Sequence, residues 1–280
     1  MLPIDWNTAI RYALLVQIAE AVKPKAAYSP ADQAKIQAAG YDFKETIYAD
    51  DLSTDVDPHL GDVVTFGFLG ISQKTGELVA VVRGTDTILE WMHDASFLMV
   101  PSSISGAHGY TEDGFTSVYK SLRVQPANGS LAAKDSIRGY LDTRQATSVT
   151  VCGHSLGGAL ATLLTLDVAL NTSCRTPTAY TYASPRTGDH IFAGAYNAAI
   201  PASYRIANRQ DLVPKLPPPI PLLYEHVNTD YELIPPKNSI NPTIACEHHL
   251  TSYLWLMGQR AGTSAYSLDA DCKFTAPAHI

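Results

Sequence analysis

Thr150-Val151-Cys152-Gly153-His154-Ser155-Leu156-Gly157-Gly158-Ala159-Leu160 decides how the rest of the chain is read. It has the form G-x-S-x-G, a pattern that arises by chance roughly 0.1 times in a chain of this size. Its context supplies the specificity. A β-branched run at 148–151 leads in, and an apolar helical pattern with Leu160, Leu163, Leu164 and Val168 leads out. A strand, a very tight turn and a helix form the frame of a nucleophile elbow. The serine at such a turn sits in a strained backbone conformation. Gly153 and Gly157 stand two residues to either side of it, where a β-carbon would clash. The helix that begins after Ser155 points its amino end at the site, which favours a developing oxyanion.

Outward from the elbow, strand-like segments run at 63–71, 78–83, 149–152, 178–182 and 202–206. Lys74-Thr75-Gly76 reads as a hairpin turn between the first two. Helical patterns cover 115–123, 131–144, 156–170 and 189–199. Alternating strands and helices predict an α/β fold, a mostly parallel sheet with helices on both faces and an antiparallel start. Five prolines between Pro214 and Pro221 form a rigid extended loop, because a strand at 222–227 and a helix still follow. Ile10, Leu14, Ile18 and Val22 fall at helical spacing behind Asp5, which predicts a capped amino-terminal surface helix packing on the core.

The whole chain fits one domain. It has 280 residues, 46% hydrophobic and 17% charged, and a net charge of −7 without any Lys/Arg run, which argues against a nucleic-acid partner. No apolar run approaches the ~20 residues of a membrane span. The amino terminus is not a signal peptide, since it lacks a basic start and Arg11, Gln17 and Glu20 interrupt it; a secreted protein would already have lost its signal. None of the four cysteines has metal-ligand spacing. Cys152 reads as an inert buried thiol; two of the remaining three can pair, Cys246 with Cys272 among the options.

The elbow resembles that of the fungal-type triacylglycerol lipases, the class 3 lipase family, and so do further motifs in order along the chain. Val82-Arg83-Gly84-Thr85 resembles the family's strand ending, and Glu90-Trp91-Met92-His93-Asp94 its lid. Asp113-Gly114-Phe115 resembles a helix start, although Glu112 stands where many members carry histidine. Tyr182 to Asp189 and Asn208 to Pro218 resemble two later motifs. The resemblance implies an α/β-hydrolase fold and a carboxylester hydrolase without cofactor or metal.

A serine hydroxyl needs a base, and the base needs an orienting acid. In this fold the order is Ser, acid, His. Asp167 lies mid-helix, and Asp189 has the position of a helix cap; Glu225 and Asp230 come later. Asp211 follows a strand at its carboxyl end and occupies the family's acid position, so it is the expected acid. His190 starts a helix, and His226 lies in a strand-like segment with a core role. His248 and His249 remain. Many family members read H-x-L-x-x-Y-L, which fits His248 with Leu250, Tyr253 and Leu254; His249 is the alternative. His154 is read as structural. The backbone N–H of Leu156 is the first oxyanion donor, and the resemblance places the second at Thr85.

Residues 87–100 carry Ile88, Leu89, Trp91, Met92, Phe97, Leu98, Met99 and Val100, a great deal of apolar surface for a loop, read either as core or as a short amphipathic lid that meets a lipid–water interface. The expected activity is hydrolysis of acylglycerols. Feruloyl-type esterases and phospholipases are alternatives on the same fold. A non-catalytic binding module would predict a broken triad, and this one is whole.

Overall fold

The computed structural model describes residues 2–50, 63–85, 97–124, 136–220 and 223–275. Helix α1 (Trp6–Glu20) begins at Asp5, whose carboxylate accepts the Asn7 N–H. Helix α2 (Pro30–Ala38) follows a Ser29/Asp32 capping box. Strands β1 (Tyr41–Asp50), β2 (Val63–Ser72) and β3 (Leu78–Val82) then run as an antiparallel meander. Next come β4 (Met99–Pro101), β5 (Tyr110–Glu112), α3 (Asp113–Ser121) and α4 (Ile137–Thr143). The elbow joins β6 (Val149–His154) to α5 (Leu156–Asn171). The chain continues through β7 (Thr178–Tyr182), β8 (Gly188–Asp189), α6 (His190–Ala199) and β9 (Ser203–Asn208). It closes with β10 (Tyr224–Glu225), β11 (Asp230–Leu233), α7 (Ile244–His248) and α8 (Leu250–Ala261).

Seven strands form the central sheet in the order β1-β2-β3-β6-β7-β9-β11. From β3 onward every neighbouring pair is parallel. The side-chain period of two sorts β3 and β6 between two cores. Val79, Val81 and Cys152 face the apolar cluster built with α1 and α8. Ala80, Val82, Val149 and Val151 face the one built with α5. Helices thus cover both faces, the α/β-hydrolase arrangement expected from the elbow. A small antiparallel sheet, β10-β8-β5-β4, lies apart from the central one.

Several expectations shift. Strand β1 and helix α2 were not visible in the sequence. β1 is an edge strand carrying Asp42, Lys44 and Glu45, with register breaks after Phe43 and Ile47, so its alternation is blurred. α2 buries only Ile36. Helix α1 packs on the core as expected, over a wider face than the four spaced residues marked: Ala9, Tyr12, Ala13, Leu15, Val16 and Ala19 are buried along with Ile10. The expected strand at 222–227 is reduced to two residues in β10, and β11 beyond it was missed. The helical pattern at 131–144 is described from residue 136 onward. Residues 87–96 of the expected lid lie outside the described residues, whereas Met99 and Val100 belong to β4. Cys246 and Cys272 form a disulfide, and Cys152 and Cys174 are buried free thiols.

Candidate active site

Ser155 has φ 58° and ψ −127°, a conformation that a non-glycine residue adopts only under surrounding constraint. The constraint is visible in its neighbours. A β-carbon on Gly153 would sit 2.1 Å from the Gly157 carbonyl oxygen. One on Gly157 would sit 2.4 Å from the carbonyl oxygens of Val82 and Arg83. The elbow therefore packs backbone on backbone between β3 and the start of α5. The Ser155 N–H donates to the Tyr182 carbonyl at 2.9 Å, which ties the turn to β7.

His248 ends α7, and its Nδ1 lies 2.9 Å from Oδ2 of Asp211. Asp211 is fully buried in the loop after β9. Its Oδ1 accepts the Val213 N–H at 2.9 Å, and its Oδ2 also accepts the Tyr253 hydroxyl at 2.7 Å. With three donors on two oxygens, the carboxylate has little freedom to turn. Burial pushes the His248 imidazole below the usual histidine range, against the opposing pull of Asp211. The Ser155 Oγ and the His248 Nε2 are both buried, and neither has a hydrogen-bond partner among the described residues.

Both side chains line one cavity of about 440 Å³, together with Gly84 and Thr85 from the loop after β3, and Gln17 and Glu20 from α1. Of the residues singled out in the sequence, Ser155, His248, His249 and Thr85 line that cavity, and Asp211 stands behind His248. Leu156 opens α5 directly after Ser155, its side chain packed against two apolar clusters, and it is not among the residues that line the cavity. Among the described residues, no group of three His, Cys, Asp or Glu side chains is placed to hold a metal ion.

The other candidates find different work. His249 caps α8, with its ring 2.8 Å from the Thr251 hydroxyl and 3.2 Å from Asp269, and its side chain is 55% exposed. His226 bonds the Pro214 carbonyl, and burial holds it down at about 3, in keeping with a core role. His190 is exposed. Asp189 caps α6 by accepting the Phe192 N–H at 2.8 Å, and Asp167 accepts the Tyr119 hydroxyl at 2.6 Å. Glu112 caps α3 by accepting the Phe115 N–H at 2.7 Å; burial raises its carboxyl to about 7.

Two residues were not singled out by the sequence. Tyr253 was visible only as the tyrosine of the H-x-L-x-x-Y-L match. Glu20 read merely as a charge that interrupts an apolar stretch.

The family description "Lipase (class 3)" matches residues 79–220. Phospholipase A1-II 7 of rice (Oryza sativa subsp. indica) is 31% identical over 228 residues, 70% of this chain and 54% of that protein. Phospholipase A1-II 6 of rice (subsp. japonica) is 32% identical over 180 residues, 55% and 43% of the two chains. The chain thus spans about half the length of the curated relatives it matches. Among solved structures, the nonglycosylated LIP2 lipase of Yarrowia lipolytica superposes with a TM-score of 0.64 at 21% identity, covering 86% of this chain and 84% of that one. At that identity the likeness speaks for the fold.

Proposed function

Because the chain belongs to the class 3 lipase family, we propose that it hydrolyses carboxylic esters through an acyl-enzyme on Ser155, with acylglycerols as the main substrates. One observation carries the reading: a buried serine hydroxyl and a buried imidazole nitrogen share a cavity, both without hydrogen-bond partners among the described residues, with the other ring nitrogen fixed on a buried carboxylate. In the first step His248 Nε2 takes the Ser155 proton as Oγ attacks the ester carbonyl. Asp211 holds the ring and supports the imidazolium that forms. The negative charge on the carbonyl oxygen is met by the N–H of Leu156 and by Thr85. The imidazolium then protonates the leaving alkoxide. Water repeats the sequence on the acyl-enzyme and releases the acid.

Action at a lipid–water interface is part of the proposal. Leu98, Ile220 and Leu223 are 61%, 81% and 66% exposed, and the Tyr224 hydroxyl joins two of these segments by donating to the carbonyls of Phe97 and Leu98. Such apolar side chains gain by leaving water. Among the described residues no helix is long and apolar enough to cross a membrane. The Cys246–Cys272 bridge supports an oxidising compartment, in keeping with secretion. Phospholipid hydrolysis is the second reading, favoured by the names of the rice relatives.

The test is a substrate panel of triglyceride emulsion, phosphatidylcholine vesicles, p-nitrophenyl esters and methyl ferulate. Triglyceride should be cleaved fastest, with a rise in rate as a short-chain triglyceride passes its solubility limit. Faster release of fatty acid from phosphatidylcholine would move the assignment to a phospholipase. Ser155→Ala should lose at least about a thousandfold in rate with its fold intact. An active Ser155→Ala protein would end the proposal.

A further inference from the structure

The ring of His154, next to the serine in the elbow, lies under the ring of His248 with centroids 4.7 Å apart and planes inclined by 33°. Its two nitrogens face two oxygens. Nδ1 is 2.8 Å from Oε1 of Glu20, and Nε2 is 2.9 Å from the backbone carbonyl oxygen of His248. A carbonyl oxygen can only accept, so Nε2 carries a proton. An ionised carboxylate can only accept as well, so with Glu20 ionised Nδ1 carries a second one. The pair therefore exists either as carboxylate and imidazolium or as neutral acid and neutral imidazole.

The surroundings choose the charged form. Burial works against both charges, yet Glu20 is held below its ordinary range by the His154 charge, with Arg83 adding to it. Burial pulls His154 down, and the Glu20 carboxylate more than offsets this and raises it. Arg83 is fixed there by donating to the carbonyls of Gly84 and Val22.

We propose that Glu20 and His154 form a carboxylate–imidazolium pair that positions the base His248, by binding its backbone carbonyl and by setting a fixed positive charge against its ring. This rests on the ester-hydrolase reading above, in which His248 is the base. Glu20 and His154 touch no substrate in that mechanism; they are positioning residues. Glu20 comes from α1, remote in sequence, and gives that helix a part in the chemistry. Burial and the positive ring oppose protonation of His248, whereas Asp211 and, less than the ring opposes it, the Glu20 carboxylate favour it. A base balanced in this way stays neutral in mildly acidic water and later gives its proton readily to the leaving alkoxide. The charged or titratable groups around the two rings are Glu20 from α1, Arg83 at the end of β3, Asp211 after β9, Glu247 and His249 beside the base, and Tyr253 from α8.

Histidine-¹⁵N NMR on the unmutated protein and on Glu20→Gln tests the proposal. The glutamine amide can donate to Nδ1 while Nε2–H keeps the carbonyl, so geometry is retained and both charges go. In the unmutated protein, both His154 nitrogens should read as protonated at neutral pH. In Glu20→Gln one should not, and the His248 titration midpoint should rise, because the lost His154 charge outweighs the lost Glu20 charge. The acid limb of kcat/KM on a soluble ester should move with it. A neutral His154 in the unmutated protein overturns the proposal, even if Glu20→Gln fails to fold. So does a His248 midpoint that stays or falls in Glu20→Gln. Both NMR readings hold whether or not the protein cleaves an ester. Absence of hydrolysis would therefore sink the function reading and leave the ion pair separately decided.

Discussion

The Tyr253 hydroxyl donates at 2.7 Å to the same Asp211 oxygen that faces His248. It also accepts the buried backbone N–H of Asn208 at 3.0 Å. One phenol thus fixes Asp211, the proposed acid, to the end of β9.

Tyr253→Phe removes that tie while keeping the ring. The Asn208 N–H is left buried without an acceptor, which costs about 1–3 kcal/mol. Urea denaturation should show a loss of that size. A loosened Asp211 should lower kcat/KM about tenfold, equivalent to roughly 1.4 kcal/mol in the transition state. Unchanged kinetics would mean that the other donors hold the carboxylate well enough alone.

The pH dependence follows from His248. Burial lowers its proton affinity from the ordinary histidine value of about 6.5. The base works when neutral, so activity is full above the folded-state value and is lost as pH falls through it. The acid limb of kcat/KM should therefore have its midpoint below about 6.5. A midpoint above that value would contradict the burial argument.

Glu112 gives a stability prediction of opposite slope. Burial raises its carboxyl to about 7 in the folded protein, whereas the unfolded chain releases the proton near ~4.3. The folded state binds more protons in that window, so its stability falls as pH rises from the lower value to the upper one. Glu112→Gln keeps an oxygen to cap α3 and removes the penalty. Relative to the unmutated protein, the variant should gain roughly 1–3 kcal/mol on going from about pH 4 to about pH 8.5. Denaturant curves at the two pH values check it; equal differences at both would refute it.

Cys246 lies two residues before His248, and its bridge to Cys272 closes a loop with a sequence separation of 26 residues. Opening a loop of that length costs roughly 3 kcal/mol in the chain-entropy account. The Cys246→Ala/Cys272→Ala variant should lose about that in urea melts, and kcat/KM should drop several-fold because α7 carries the base. A variant with full stability and full activity would leave the bridge without a part in either.

The elbow was legible because it is local. Gly153, Ser155 and Gly157 are close in the chain, and their steric logic needs only a strand before and a helix after. Parallel β3, β6, β7 and β9 were legible for the same reason, as apolar segments buried on both faces. Edge strand β1 was not, since only three of its ten residues are buried and its charges blur the alternation. Short β11 has four residues, two of them acidic, and only pairing with β9 makes it a strand.

The base was the point where sequence ran out. His248 and His249 are adjacent in the chain and equal in chemistry, and the motif merely favoured one. The backbone turn between α7 and α8 sends one ring to buried Asp211 and the other to exposed Asp269. Glu20 and Tyr253 likewise acquire a role only through packing, which brings α1 and α8 to the elbow from 134 residues before His154 and from 42 residues after Asp211. Sequence by itself determined the elbow with Ser155, the proposed nucleophile, at its turn, because strain and sterics at a tight turn are properties of neighbouring residues. Tertiary structure decided which groups surround His248, because hydrogen bonds in a buried site depend on distances that the order of residues does not set.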